Sequence, residues 1–242
     1  LTGIAYCELL QEPTAASIAY GIKAENMDGR WLVFDFGGGT FDAALMEVDE
    51  GIMSVLDTEG DNHLGGKDLD FAIVDDILIP HLQSKYSIES RLEEDNSKSI
   101  LRSLLKKFAE ETKIALSSKD SHAIYEAGMI EEDDEGEEVD LDLTIPLAQY
   151  ESVVEPIFQK AVDICRELLK RNNLKGADLK TVVFVGGPTF QQTCRRMVSE
   201  QLGCTVDTSV DPMTAVAVGA TIFASTKSIP GDLQVKDTAK VQ

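Results

Sequence analysis

The sequence predicts an α/β protein in two parts: a base with a mixed sheet and helices, and an inserted α+β subdomain. Three observations predict it. Short β-rich runs stand near both ends of the chain, at 31–36 and 181–185. Each run stops at consecutive glycines, Gly37-Gly38-Gly39 and Gly186-Gly187. Between them apolar residues recur at helical spacing. The base is placed at 25–64 with 155–226, and the insert at 65–154. At 242 residues, 43% hydrophobic and 27% charged, the chain can bury a core, which excludes a largely disordered polypeptide.

Residues 1–24 read as a helix ending at Gly21 and interrupted at Glu12-Pro13-Thr14-Ala15-Ala16, because Pro13 cannot donate a backbone hydrogen bond. Trp31 to Phe36, Thr40 to Val48 and Ile52 to Thr58 read as three strands of an antiparallel meander. After His63-Leu64-Gly65-Gly66, the spacing of Leu69, Ile73 and Ile77, and of Ile100, Leu101, Leu104, Leu105 and Phe108, predicts two helices. Residues 122–130 and 139–145 read as strands. The acidic run 131–138 between them reads as an exposed, mobile hairpin tip rather than a calcium loop, since it lacks spaced D-x-D-x-D-G ligands. A helix over 147–172 follows, with Pro156 near its start, then the strand 181–185 and a helix from about Gln191. The last helix is Asp211 to Ser225, with Pro212 in its first turn, and 227–242 reads as a tail.

Composition narrows the function. The 22 basic against 43 acidic side chains leave a net charge of −21, which excludes nucleic acid and anionic membranes as partners. No apolar run reaches the roughly 20 residues of a membrane span, and the N-terminus lacks the form of a signal peptide, so a cytoplasmic protein is expected. Cys7, Cys165, Cys194 and Cys204, like His63, His81 and His122, are scattered. Reduced, buried thiols are expected rather than a zinc site or disulfide framework.

Chemistry concentrates in Asp35-Phe36-Gly37-Gly38-Gly39-Thr40-Phe41-Asp42. Glycines let backbone amides approach an oxyanion and aim several at one phosphate, and Thr40 adds a hydroxyl. Asp35, closing a strand, can hold Mg²⁺ through water, and Asp42 can orient a second water. The plainer reading is a glycine-rich hairpin turn, but two aspartates bracketing three glycines and a threonine favour phosphate. With a Debye length of about 8 Å at physiological salt, remote carboxylates oppose such binding only weakly. Gly186 and Gly187 leave room for a flat ring or a sugar. Glu110, Lys113 and Ser117 share one helical face, to be read either as a solvated face or as ribose and base contacts. Glu12 beside Pro13 is either an ordinary surface carboxylate or a fixed acid. Neither G-x-G-x-x-G nor a Walker A spacing occurs at these glycines.

Taken together, Glu12-Pro13-Thr14-Ala15-Ala16, the 35–42 run, His63-Leu64-Gly65-Gly66-Lys67-Asp68 and Val185-Gly186-Gly187 resemble, in order and spacing, the ATPase domain of the heat-shock 70 (DnaK-type) chaperones. The resemblance covers residues 1 to about 226 and implies lobe II of an actin-like ATPase fold, preceded by the crossover helix from lobe I. It implies Mg²⁺ and ATP or ADP as ligands. Asp35 becomes a water-mediated Mg²⁺ partner, and Gly37, Gly38, Gly39 and Thr40 hold the β- and γ-phosphates. Glu12 and Asp42 order the metal shell and the attacking water. Glu110, Lys113 and Ser117 face the adenosine, with Ile114 and Phe190 beside the base and Gly186-Gly187 behind it.

The resemblance also implies partners: lobe I, with its own phosphate loop and lysine, a peptide-binding domain, a nucleotide-exchange factor on 65–154 and a J-domain co-chaperone. This piece alone is then expected to turn over ATP hardly at all. Several positions depart from the family pattern. Ile114 and Phe190 replace the two arginines usual beside the adenine, Pro188 a serine, Met213 an aspartate and Lys67 a glutamate. The tail Gly231 to Gln242 lacks the family's apolar linker run. Competing readings are a regulatory pseudo-ATPase module with weakened adenine recognition and an actin-like filament protein.

Overall fold

The computed structural model describes residues 8–21, 28–50 and 52–226; the expected tail at 227–242 and the first residues of the N-terminal helix lie outside them. In chain order the elements are α1 (Glu12–Gly21), β1 (Gly29–Phe36), β2 (Phe41–Asp49), β3 (Ile52–Asp61), α2 (Gly66–Ile73), a π-helical turn (Val74–Leu78), α3 (Ile79–Gln83), α4 (Ser90–Glu93), α5 (Asp95–Ala115), β4 (Ser121–Ile130), β5 (Val139–Pro146), α6 (Leu147–Arg171), β6 (Leu179–Val185), α7 (Gln192–Leu202), β7 (Val206–Asp207) and α8 (Ala215–Ser225). This is the mixed α/β architecture the sequence predicts.

Five strands form one sheet in the order β3-β2-β1-β6-β7. The first three make the antiparallel meander, and β6 joins β1 in parallel. Central position explains why β1 reads as a nearly unbroken apolar run: both of its faces are covered. Side chains alternate between the faces. Leu32, Phe34 and Phe36 join Phe41, Leu45, Phe184 and Phe158 of α6 in the larger core. Trp31 and Val33 join Met46, Val183 and Val185 on the other face, against Ala16, Ala19 and Tyr20 of α1 and Ala215 of α8. Under the glycine turn the rings interlock, Phe34 with Phe41 at 4.7 Å and Phe36 with Phe158 at 5.4 Å between centroids. Each such buried ring contributes roughly 1.5–3 kcal/mol by area.

Three prolines act differently from expectation. Pro13 does not interrupt a helix; it lies in the first turn of α1, where the missing N–H removes no intrahelical bond. Pro156 lies well inside α6, which runs on past it with Val154 and Phe158 both buried. Pro212 precedes its helix: the Met213 N–H donates to Asp211 Oδ1 at 2.8 Å in a turn, and α8 begins only at Ala215. A fourth, Pro80, follows the widened turn 74–78, which accommodates a residue that cannot donate to the preceding helix.

Beyond the sheet, α5 packs against α2 and β4, and β4 pairs with β5. The acidic tip of that hairpin is exposed but tied down. The Ser87 N–H donates to Asp133 Oδ2 at 3.0 Å, the Ser90 N–H to Asp134 Oδ2 at 3.0 Å, and Arg91 Nη2 to the Glu132 carbonyl at 3.0 Å. Cys165 and Cys194 are buried free thiols, and Cys204 is half-buried and free; Cys7 lies outside the described residues.

Helix α1 is fastened to the sheet by Tyr20, whose buried hydroxyl donates to the Phe184 carbonyl at 2.9 Å. Tyr20→Phe is expected to lower the unfolding free energy by about 1 kcal/mol, the net worth of one such bond. Urea melts of the two proteins measure this; identical midpoints would show that the bond contributes nothing.

Candidate functional site

At the glycine turn the Gly37 N–H donates to the Thr40 carbonyl at 2.9 Å, closing the loop between β1 and β2. The first turn of α2 is docked on it: the Gly66 N–H donates to Gly37 O at 2.9 Å and the Lys67 N–H to Gly38 O at 2.8 Å. In a trans peptide the N–H points opposite to the preceding carbonyl. Turning those two carbonyls toward α2 therefore aims the Gly38 and Gly39 amides away from it. Such close docking needs Gly65, where a Cβ would lie 2.5 Å from the Gly39 backbone. Beside Gly38 there is open space: a Cβ built there meets nothing within 4 Å.

Strand register gathers the acids. Asp35 and Asp42 are direct cross-strand partners, and by alternation both point to the face that α1 covers. Glu12, at the start of α1, acts on the same carboxyl. Burial first, then Glu12 and then Asp42, push the Asp35 carboxyl up to about 6. Like charges placed opposite one another on a sheet destabilise it, so this cluster is held in place by the surrounding fold.

A cavity of about 490 Å³ opens between the turn, α2, α5 and the β6–α7 connection. Of the residues singled out in the sequence, Gly38, Glu110, Lys113, Ile114, Ser117, Gly187 and Phe190 line it. Glu12, Asp35, Gly37, Gly39, Thr40 and Asp42 stand apart from its lining, at the turn and the acid cluster. Gly186 does not line it either. With φ of +90° it packs on β1, where a Cβ would meet the Phe36 carbonyl at 2.1 Å. Ser117 lies just past the end of α5, and its hydroxyl donates to the Ile114 carbonyl at 2.7 Å. Ile114, Phe190 and Met213 give the cavity exposed apolar walls, 64%, 40% and 66% exposed.

Other residues of the site escaped the sequence reading. Asp70, on α2, pairs with Lys113 Nζ at 2.6 Å, their side chains 4% and 13% exposed. Burial raises the Asp70 carboxyl and the lysine opposes this. Gln191 Nε2 donates to the Lys113 carbonyl at 2.6 Å, fixing the end of α5 against the β6–α7 connection. Arg195 stands with its guanidinium carbon 5.7 Å from the Phe190 ring centroid and 5.9 Å from that of Phe184, so Phe190 has a cation behind it. Lys106, likewise missed, and Lys67, noted in the sequence as standing where the family has a glutamate, complete the charged lining. The positions of α2 residues at helical spacing were visible; their partners, tens of residues away, were not.

A mixed sheet with covered faces, carrying a glycine turn and an acid cluster at the end of its central strand, is the architecture of an actin-like ATPase lobe. The comparisons with known proteins agree. The family model described as Hsp70 protein matches residues 1–240. The chain is 33% identical over 233 residues to the chaperone protein DnaK of Nitrosopumilus maritimus, covering 96% of this chain and 35% of that protein. It is 36% identical over 222 residues to the DnaK of Thermoplasma acidophilum, covering 92% and 35%. With the chaperone protein HscA homolog of Vibrio parahaemolyticus the identity is 35% over 224 residues, covering 93% and 33%. The chain belongs to the Hsp70 family, and it spans about a third of the length of the curated relatives it matches.

Two outcomes are expected from this geometry. Asp35 is ordinarily ionised above 3.8 but in the fold only above about 6. Its penalty is therefore absent below pH 3.8 and full above pH 6. In the absence of metal, Asp35→Asn is expected to stabilise the fold by about 2 kcal/mol at pH 7.5, the gain fading toward pH 4; a pH-independent difference in thermal unfolding would contradict this. Lys113→Met strands Asp70 in the interior and is expected to cost about 3 kcal/mol, while Asp70→Leu with Lys113→Met recovers most of it. Denaturant melts that show equal loss in the single and double variants would remove the pair from the account.

Proposed function

We propose that this chain is the ATP-binding lobe II of an Hsp70-type chaperone, acting with a lobe I to close on Mg²⁺ with ATP or ADP. The observation that carries the reading is the clustering of Asp35, Asp42 and Glu12 beside a turn whose Gly38 and Gly39 amides point away from α2. The residues fit the group. A carboxyl pushed up by burial and then by two like charges is a place where a cation relieves the repulsion. Mg²⁺ would be held there through water and phosphate oxygens, as a cation that dehydrates reluctantly.

In this reading Gly38, Gly39 and Thr40 donate to the β- and γ-phosphates, and Asp35 orients water around the metal, with Glu12 and Asp42 at its flanks. Bound Mg²⁺ would supply charge neutralisation at the phosphates as the terminal group is transferred. The cavity takes the nucleoside. Its volume of about 490 Å³ lies in the range of small-molecule sites. Glu110 and Lys113 stand at the sugar, Gly187 behind it, and Ile114 and Phe190 beside the base, where stacking on an apolar face replaces a pair of cations. Residues 25–64 with 155–226 act as the base, and 65–154, with α5 and the β4–β5 hairpin, as the insert that receives an exchange factor. Hydrolysis coupled to cycles of peptide binding and release belongs to the whole protein, with a J-domain partner.

Asp35→Asn in the full-length protein is expected to lower ATP turnover about 10- to 100-fold, the usual effect of removing a group that orients a metal's shell, with the thermal midpoint no lower than wild type. Turnover unchanged by the substitution, in a protein that hydrolyses ATP, would contradict the role given to Asp35. Calorimetry showing no binding of Mg·ADP to the wild type would instead favour the regulatory reading, in which Ile114 and Phe190 mark a site that has lost nucleotide.

A further inference from the structure

The nucleotide reading leaves a local difficulty: a chain of net charge −21 must hold several phosphate charges on this lobe. The lysines of the cavity differ in how free they are to help. Lys113 is committed to Asp70 at 2.6 Å, and Lys106 lies in the field of the same aspartate. Lys67 takes part in none of the ion pairs among the described residues. Its neighbour Asp68 does not claim it either, because Asp68 Oδ2 accepts from the Gly65 N–H at 2.7 Å and caps α2. The Lys67 side chain is exposed and lines the cavity with Gly38.

Its position is set from the backbone. With the Lys67 N–H bound to Gly38 O at 2.8 Å, the residue is fixed to the glycine turn itself. The end of its side chain lies over Gly39, where a Cβ would meet Nζ at 3.5 Å and Cδ and Cε at 3.7 Å. The ammonium therefore lies within ordinary contact distance of the turn. An unpaired ammonium on a flexible stem beside exposed turn amides suits a phosphate oxygen, which lysine binds as a point charge.

We propose that Lys67 is the phosphate-contacting cation of this lobe: its ammonium takes an oxygen of the phosphate chain held at Gly38 and Gly39, so that affinity depends on the number of phosphates through this side chain. The proposal rests on the nucleotide reading above. It places a cation on the lobe II side of the cleft, and it assigns that work to a lysine distinct from Lys113 in the nucleoside pocket.

Calorimetric titration of adenosine, AMP, ADP and ATP, each with Mg²⁺, into the full-length protein tests it, with Lys67→Ala, Lys67→Arg and Lys67→Glu beside the wild type. Lys67→Ala is expected to weaken ADP and ATP about tenfold, as the loss of one charged hydrogen bond does, and to leave adenosine unchanged. Lys67→Arg should retain most of the affinity, Lys67→Glu should weaken ADP further than alanine, and thermal midpoints should match. Equal ADP affinity in wild type and Lys67→Ala overturns the role of Lys67 while leaving the nucleotide reading standing. A parallel loss of adenosine and ADP shows a merely structural effect and overturns it too. A wild type that binds neither ligand overturns the nucleotide reading and this inference together.

Discussion

Two backbone hydrogen bonds, from Gly66 and Lys67 to the carbonyls of Gly37 and Gly38, organise the site. They consume carbonyls that would otherwise repel an anion and orient the following amides away from the helix. They also bring α2 close enough to a bare backbone that only glycine fits at Gly65. Everything else at the site is placed relative to that junction. The aromatic rings of Phe34, Phe36 and Phe41 hold the turn from below, and Asp70 and Lys113 carry its position across to α5. The interaction is short-ranged and between uncharged backbone groups, so salt that screens the surface charge of this acidic chain leaves it intact.

The acid cluster follows from strand arithmetic. Because side chains alternate and Asp35 faces Asp42 across the ladder, both carboxylates must share a face, and α1 adds Glu12 to it. The fold tolerates the repulsion because the strands that carry it are buried on both faces and cannot slip by one residue without turning phenylalanines to the wrong side. Stability and chemistry therefore pull against each other at one carboxyl: the arrangement that costs the fold stability is the one that a hydrated cation would relax.

Much of the fold was legible in the sequence because the β-rich runs, the glycine punctuation and the helical spacing of Leu69, Ile73 and Ile77 are local signals. Proline was harder. A proline that interrupts a helix, one that opens it and one that stands just before it read alike until the hydrogen-bond ladder is known, which is why sequence alone misplaces Pro13 and Pro212 relative to α1 and α8. The acidic run 131–138 looked self-repelling, yet it meets amides of Ser87 and Ser90 more than forty residues earlier, a pairing no local pattern announces. The glycine turn and Glu110, Lys113, Ile114 and Phe190 could be picked out from motif resemblance. Asp70, Gln191 and Arg195 could not, since each matters only through a partner brought near by tertiary packing.

Helix α5 has one further mechanical property. It is gripped near its C-terminal end by Asp70 and Gln191, while its other end follows α4, whose Ser90 is latched to the acidic tip. Eighteen residues separate Lys113 from Asp95, which at 1.5 Å of rise each is about 27 Å of stiff rod. Pivoting that rod by about 5° about the gripped end would carry its other end, with α4, through about 2 Å. The cavity wall at Lys113 is therefore the short arm of a lever whose long arm ends at α4.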